Sequence, residues 1–158
     1  MLIFKIAGAV LLLASGIGVS IAAARYERCR LQVYDGLISL IFHIKGRIDC
    51  YAMPIEEIMR TMDKSILADC RCPGEIGSIE GLLPHVRPYV MPQTLRVLRA
   101  FGQGLGTGFR DEQIKRCDYY IELLQNTRMQ LEAELPARAK TNGMIWILCA
   151  VGAVILLW

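Results

Sequence analysis

Four alternating glycines, Gly102, Gly104, Gly106 and Gly108 in the segment FGQGLGTGF, form the first pattern that could carry chemistry. A glycine-rich loop cradles phosphate groups when it follows a strand and leads into Gly-Lys-Ser/Thr. No strand pattern precedes this segment, and no such tripeptide follows it. We therefore interpret it as a glycine helix cap and a turn between two antiparallel helices.

A second candidate is a metal site at Cys70 and Cys72, with Cys50, His43 or His85 completing the ligand set. The sequence contains no CxxC pair and no HxxxH pattern, so buried or idle thiols are the favoured interpretation. The six cysteines lie in helix-like segments, which predicts reduced thiols. No Ser, Cys or His belongs to a nucleophile motif. We predict no enzyme, no cofactor and no small-molecule substrate. A membrane-bound enzyme or metal sensor stays open as an alternative only if the Cys70/Cys72 pair binds something.

The charged residues of the chain lie mainly in its middle, and the two ends are apolar. Hydrophobic residues make up 54% of the 158-residue chain and charged residues 21%, and the mean hydropathy is +0.37. Residues 6–24 contain no charge, and they are long enough as a helix to cross a bilayer. Arg25, Arg28 and Arg30 follow directly. These positive charges indicate that residues 1–24 form a transmembrane anchor that is not cleaved. A signal peptide cleaved after Ala24 is the alternative.

A second uncharged stretch, residues 141–158, predicts a C-terminal transmembrane helix. Arg138 and Lys140 precede it, so both spans have basic flanks facing the middle of the chain. The positive-inside rule then predicts that residues 25–140 are cytoplasmic and that both termini lie outside.

Residues 25–140 hold 17 of the 18 bases and all 15 acids, with no basic run, which argues against a nucleic-acid partner. We find no strand alternation. Apolar residues recur at helical spacing after Arg30 and again from Ile114, where the last helix carries a heptad-like series. Pro54 and Pro92 each suit the start of a helix. The fold class predicted is therefore all-α, a cytoplasmic antiparallel helical bundle between two transmembrane helices.

Several motifs in order along the chain resemble the stage III sporulation protein AB family. They are the N-terminal anchor with its Arg-rich exit, Leu31-Gln32, Pro54-Ile55-Glu56-Glu57, Phe101-Gly102-x-x-Leu105-Gly106, Gln113 and a short C-terminal anchor. The resemblance covers nearly the whole chain and is most specific in FGxxLG followed by a Gln-bearing helix. One departure is Phe109, where the family usually has an acid; Asp111 offers an acid in the first turn of the helix instead.

The resemblance implies a sporulation protein of an endospore-forming bacterium, located in the mother-cell membrane around the forespore. It implies a non-enzymatic role in a secretion-like channel complex that joins the two cells. The partners implied are a secretion-type ATPase and polytopic channel components. The family's domain is similar to the platform proteins of type II secretion and type IV pilus systems, and such a platform protein is the alternative function.

The turn is the predicted interaction site of the chain. Its residues are Phe101, Gly102, Leu105, Gly106, Arg110 and Gln113. We expect Gly106 to adopt a left-handed backbone conformation near the helix end. We also expect the polar side chains of Gln103, Arg110 and Gln113 to be free to dock a partner.

Overall fold

The computed structural model describes the backbone of residues 2–51, 54–74 and 76–157; within these ranges the side chains of residues 2–7, 9–13, 50–51, 137–151 and 153–157 are outside the description. Six helices and no strand occur in the described backbone, which confirms the all-α prediction. They are α1 (Leu2–Tyr51), α2 (Ile55–Arg60), α3 (Lys64–Asp69), α4 (Ile79–Val86), α5 (Pro92–Gly104) and α6 (Arg110–Leu157).

The two predicted membrane spans are helical in backbone and belong to the two long helices, α1 and α6. Most of their side chains lie outside the described residues. Among the residues that are described, no helix combines the length and the apolar character that crossing a membrane requires. The transmembrane assignment of residues 1–24 and 141–158 therefore stays a prediction.

The chain divides into two compact units. One consists of Met1–Arg28 and Leu131–Trp158, and its described backbone is the first part of α1 and the last part of α6. The other is Cys29–Gln130, which contains the four short helices, the inner halves of α1 and α6, and the predicted interaction site.

The core of the Cys29–Gln130 unit is built on one stripe of α1. Tyr34, Leu37, Ile41 and Ile44 are fully buried at the three/four spacing read from the sequence. The facing stripe of α6 buries Cys117, Ile121 and Leu124, which confirms the heptad-like series in this unit. Each buried leucine or isoleucine side chain contributes roughly 1.5–3 kcal/mol, so these stripes hold the unit together.

One polar contact inside this core ties α1 to the start of α5. The Tyr34 hydroxyl, on a fully buried side chain, shares a 3.0 Å hydrogen bond with the Thr94 hydroxyl. It also accepts a hydrogen bond from the Met91 N–H at 3.4 Å. Burying a hydroxyl without a hydrogen-bond partner lowers the free energy of unfolding. The bonds to Thr94 and Met91 therefore allow Tyr34 to be fully buried.

Three ion pairs set the register of α6 against α1 within the unit. Arg110 pairs with Asp49, Lys45 with Asp118, and Arg128 with Asp35. Residue numbers fall along α1 as they rise along α6, so the two segments run antiparallel, as predicted. Ten residues separate the last two pairs on both helices, a spacing that two straight helices can keep.

The short helices begin where the sequence supplies a cap. The Asp63 carboxylate accepts a 2.9 Å hydrogen bond from the Ser65 N–H and caps α3, and this bond lowers the pKa of Asp63. Ser78 caps α4 in the same way through the Gly81 N–H. Pro92 occupies the first turn of α5, as predicted. Pro136 lies within α6, and the helical backbone continues past it.

Candidate functional site

The predicted interaction site is the turn between α5 and α6, residues 105–109. The Leu105 N–H donates hydrogen bonds to the carbonyls of Phe101 and Gly102 as α5 ends. Beyond the turn, Arg116 of α6 reaches back to the Gly104 carbonyl, and Tyr120 packs on Phe101 with ring centroids 5.0 Å apart. Residue numbers fall from Gly104 to Phe101 along α5 while they rise from Arg116 to Tyr120 along α6, which confirms that the two helices run antiparallel.

The first two motif residues anchor the turn to the core rather than presenting it to a partner. Phe101 is fully buried against Tyr120. Gly102 faces Ile79 of α4, and a Cβ atom at this position would lie 3.0 Å from the Ile79 Cβ. The glycine therefore allows α5 to approach α4 closely.

The backbone at Gly106 has the left-handed conformation expected from the sequence. Its φ is +79°, a value that L side chains adopt only with strain. Gly108 also has a positive φ, of +92°. The prediction of a glycine-dependent turn is confirmed.

Side-chain hydrogen bonds from α6 and from the turn itself brace this turn. The Gln113 amide accepts from the Gly106 N–H at 3.4 Å and donates to the Gly108 carbonyl at 3.3 Å. The Thr107 hydroxyl donates to the Gly104 carbonyl at 2.9 Å. A turn with its backbone groups satisfied by side chains is held in one shape.

Arg110 is also engaged within the chain. Its guanidinium donates to the carbonyl and to the carboxylate of Asp49, at the inner end of α1. The expectation of free polar groups is therefore wrong for Arg110 and Gln113, because both side chains hold the turn against neighbouring elements. Gln103 is exposed.

A groove of about 540 Å³ opens beside the braced turn. Leu105, Gly106, Arg110 and Gln113 line it from the turn and the start of α6. The rest of the lining comes from Ile48 near the end of α1 and from Pro54, Ile55 and Glu56 at the start of α2. The structure therefore brings together two motifs of the sequence, the Pro54–Glu57 stretch and the FGxxLG turn, which lie about fifty residues apart in the chain.

Phe109 projects from the same turn. It is 81% exposed, more than any other described large hydrophobic side chain. Aromatic side chains that leave water on binding dominate the energetics of protein interfaces. Phe109 was identified in the sequence only as a departure from a family pattern, and its exposure depends on the turn that carries it.

The cysteines and histidines show no comparable arrangement. Cys70 and Cys72 are buried, and burial, with Asp69 nearby, raises the pKa of the Cys70 thiol to about 12. Arg71 between them has a φ of +57° and donates to the Cys29 thiol at 3.0 Å. Among the described residues, no three His, Cys, Asp or Glu side chains lie close enough to share a metal ion. The side chain of Cys50 is outside that description.

No family model, no curated protein and no solved structure matches this chain.

Proposed function

We propose that the chain is a non-enzymatic scaffold protein, anchored in a membrane at both ends, that docks partner proteins through the α5–α6 turn. The observation that carries the proposal is the placement of Phe109. Phe109 is 81% exposed on a turn whose backbone is held by Gln113 and Arg110, so a partner that covers the ring has to order little backbone on binding.

The groove beside the turn supplies the second half of such a docking site. Its walls carry the apolar residues Ile48, Ile55 and Leu105 together with the polar groups of Glu56 and Arg110. A partner loop with one apolar side chain and a few hydrogen-bonding groups matches this lining. Phe109 and part of the groove lining belong to the same turn, so one partner can contact both.

The biological setting rests on the resemblance to the stage III sporulation protein AB family. Under this proposal the chain belongs to a secretion-like channel complex in the mother-cell membrane around the forespore, and the Cys29–Gln130 unit faces the cytoplasm. Its partners are then a secretion-type ATPase and polytopic channel components. The alternative is a platform protein of a type II secretion or type IV pilus system, which has no role in sporulation.

A photocrosslinking residue at position 109 tests the docking proposal. The full chain carrying benzoylphenylalanine in place of Phe109 is expressed in its host and irradiated, and crosslinked proteins are identified by mass spectrometry. We expect a crosslink to the secretion-type ATPase or to a polytopic membrane protein. The control has the same residue in place of Tyr119, which is 62% exposed on α6 away from the turn. Equal crosslinking from positions 109 and 119, or none from position 109, contradicts the proposal.

The topology needs a reporter other than the native cysteines. Cys70 is buried and its pKa is raised, so it would resist labelling on either side of a membrane. Lys64 is exposed at the start of α3, so Lys64→Cys in a chain with Cys29 replaced by Ser gives an accessible thiol. The chain is expressed in growing, non-sporulating cells, whose plasma membrane faces the medium, and we expect a membrane-impermeant maleimide to label this thiol only after the cells are opened. Labelling in intact cells would contradict the predicted orientation.

A further inference from the structure

A second groove lies between α4 and α5, on a face of the Cys29–Gln130 unit that the turn does not use. Its volume is about 730 Å³. Leu83 of α4 and Arg87, the residue that follows this helix, line one part of the groove, and Leu95, Arg96 and Arg99 line it from α5. The lining residues recur on each helix at three- and four-residue steps, so each helix presents one continuous face to the groove.

The two helices that form the groove are held at a fixed separation. Gly102 of α5 lies against Ile79 of α4, where a Cβ atom would be too close to the isoleucine. The opposite faces of both helices are buried in the core through Leu82, Val86 and Leu98. The groove therefore exists before any ligand arrives.

The charge of the groove is unbalanced. Arg87, Arg96 and Arg99 are exposed, and Glu80 is the acidic residue of the lining. In the part of the chain that the structure describes, no carboxylate lies within ion-pair distance of these three guanidinium groups. Lys45, Arg110 and Arg128, in contrast, each pair with a carboxylate across α1 and α6. Three exposed guanidinium groups beside an apolar floor are complementary to an anionic ligand with an apolar face.

We propose that the α4–α5 groove binds an acidic amphipathic helix of a partner protein. Leu83 and Leu95 contact the apolar stripe of that helix, and Arg87, Arg96 and Arg99 pair with its carboxylates. Guanidinium groups bind carboxylates through two parallel hydrogen bonds, which favours Asp or Glu at fixed positions on the ligand. The lining of α5 extends from Pro92 to Gln103, which corresponds to about 16 Å or roughly three turns of a docked helix.

The concave shape favours a helix over a lipid surface as the ligand. Leu83 is only 9% exposed and Leu95 is half-buried at the floor, whereas the three arginines are exposed. A flat layer of anionic headgroups would contact the arginines and leave the floor unused. An amphipathic helix can place its apolar side chains against Leu83 and Leu95 while its carboxylates reach the exposed arginines. This inference concerns a separate surface from the turn, so its test does not depend on the proposed function.

A synthetic helix tests the inference directly. The probe is a fluorescein-labelled peptide of about 14 residues with Leu at positions i, i+4 and i+7 and Glu on the flanking positions. Its binding to the full chain in an uncharged detergent is measured by fluorescence anisotropy. We expect saturable binding that the double variant Arg96→Glu/Arg99→Glu weakens by about ten-fold or more, because two attractive pairs with the peptide carboxylates are replaced by two repulsive ones.

Matched controls separate the site from general charge effects. Arg60→Glu/Lys64→Glu makes the same change in net charge on exposed residues of α2 and α3 and should leave peptide affinity within about two-fold. A peptide with the same composition in scrambled order should bind weakly. Thermal unfolding of each variant establishes that it is folded. Equal losses in the two double variants, equal binding of the scrambled peptide, or no binding would overturn the proposal.

The lipid alternative is decided in mixed micelles, because the two predicted anchors would carry the full chain into any vesicle. Binding of a trace of fluorescent phosphatidylglycerol in the uncharged detergent is compared for the original chain and for Arg96→Glu/Arg99→Glu. We expect the two proteins to bind the labelled lipid equally. If the double variant loses lipid binding while peptide binding is unchanged, the groove faces lipid and the proposal is wrong.

Discussion

Arg110 joins the start of α6 to the end of α1 by donating hydrogen bonds to both the backbone carbonyl and the carboxylate of Asp49, at 2.6 and 2.5 Å. The two residues are 61 positions apart in the chain. Both side chains are about half exposed. The contact fixes the direction in which the α5–α6 turn leaves the bundle, and it does so at the wall of the candidate docking groove.

A charge swap tests whether Arg110 acts through Asp49. Arg110→Glu places two carboxylates together and should lower the free energy of unfolding by about 1 kcal/mol or less, because the pair is solvent-exposed. Asp49→Arg combined with Arg110→Glu should recover most of that loss. Urea unfolding of the full chain in an uncharged detergent measures both. A double variant no more stable than Arg110→Glu alone would contradict the Arg110–Asp49 pairing.

Gly106 and Gly46 should respond to alanine with opposite signs. Gly106→Ala forces a side chain into a backbone with φ of +79° and should cost about 1–2 kcal/mol. Gly46 lies inside α1, and a Cβ atom there would meet nothing within 4 Å. Gly46→Ala should therefore stabilise the chain by about 0.5–1 kcal/mol. Urea midpoints of the two variants that shift in the same direction would contradict the backbone conformation assigned to the turn.

Leu124 and Glu122 test the register of α6. Leu124 is 1% exposed, so Leu124→Asp buries an unpaired carboxylate and should cost more than about 3 kcal/mol. Glu122 is exposed two positions earlier, and Glu122→Ala should cost less than about 1 kcal/mol. Thermal unfolding compares them. A similar drop in melting temperature for both variants would mean that another face of α6 packs on the bundle.

His43 should make the stability of the chain depend on pH. Burial, with Arg47 nearby, lowers the pKa of His43 below its ordinary 6.5, and Asp63 opposes the shift. The unfolded chain then binds a proton more readily than the folded chain, so the free energy of unfolding decreases as the pH falls through about 6.5 and levels off below the lowered pKa.

Replacing the histidine isolates this effect. His43→Gln removes the titrating group, so the His43 contribution to the change in stability between about pH 5 and 8 should disappear. His85, exposed on α4, provides the matched control, and His85→Gln should keep the His43-linked change. An unchanged pH profile in His43→Gln would show that the imidazole is as free to take up a proton in the folded chain as in the unfolded one.

The sequence predicted the helices best where a single period covers several turns. The buried stripes of α1 and α6 follow from spacing alone, as does the start of α5 at Pro92. Helix α4 is hard to predict from the sequence, because Pro84 and its neighbouring prolines obscure the helical period. The structure accommodates Pro84 inside α4, where the helix is short and capped by Ser78.

In the candidate site, local backbone features could be predicted from the sequence, and contacts between distant residues could not. The conformation of Gly106 could be predicted because positive φ is a local property of the chain. The Arg110–Asp49 contact could not, since it depends on how two distant helix ends meet. Phe109 was equally hidden, because an aromatic residue in a sequence is ordinarily expected inside a core and only the turn geometry places it in solvent.

The central claim is that the chain is a docking scaffold required for sporulation and that Phe109 contacts its partner. The most direct measurement is the count of heat-resistant spores from strains of the host carrying Phe109→Ser, Tyr119→Ser or a deletion of the whole reading frame. We predict that deletion abolishes spores, that Phe109→Ser lowers the count towards the deletion level with the protein still at normal abundance in membranes, and that Tyr119→Ser is normal. A normal spore count from the deletion strain would contradict the role in sporulation, and a normal count from Phe109→Ser would contradict docking through Phe109.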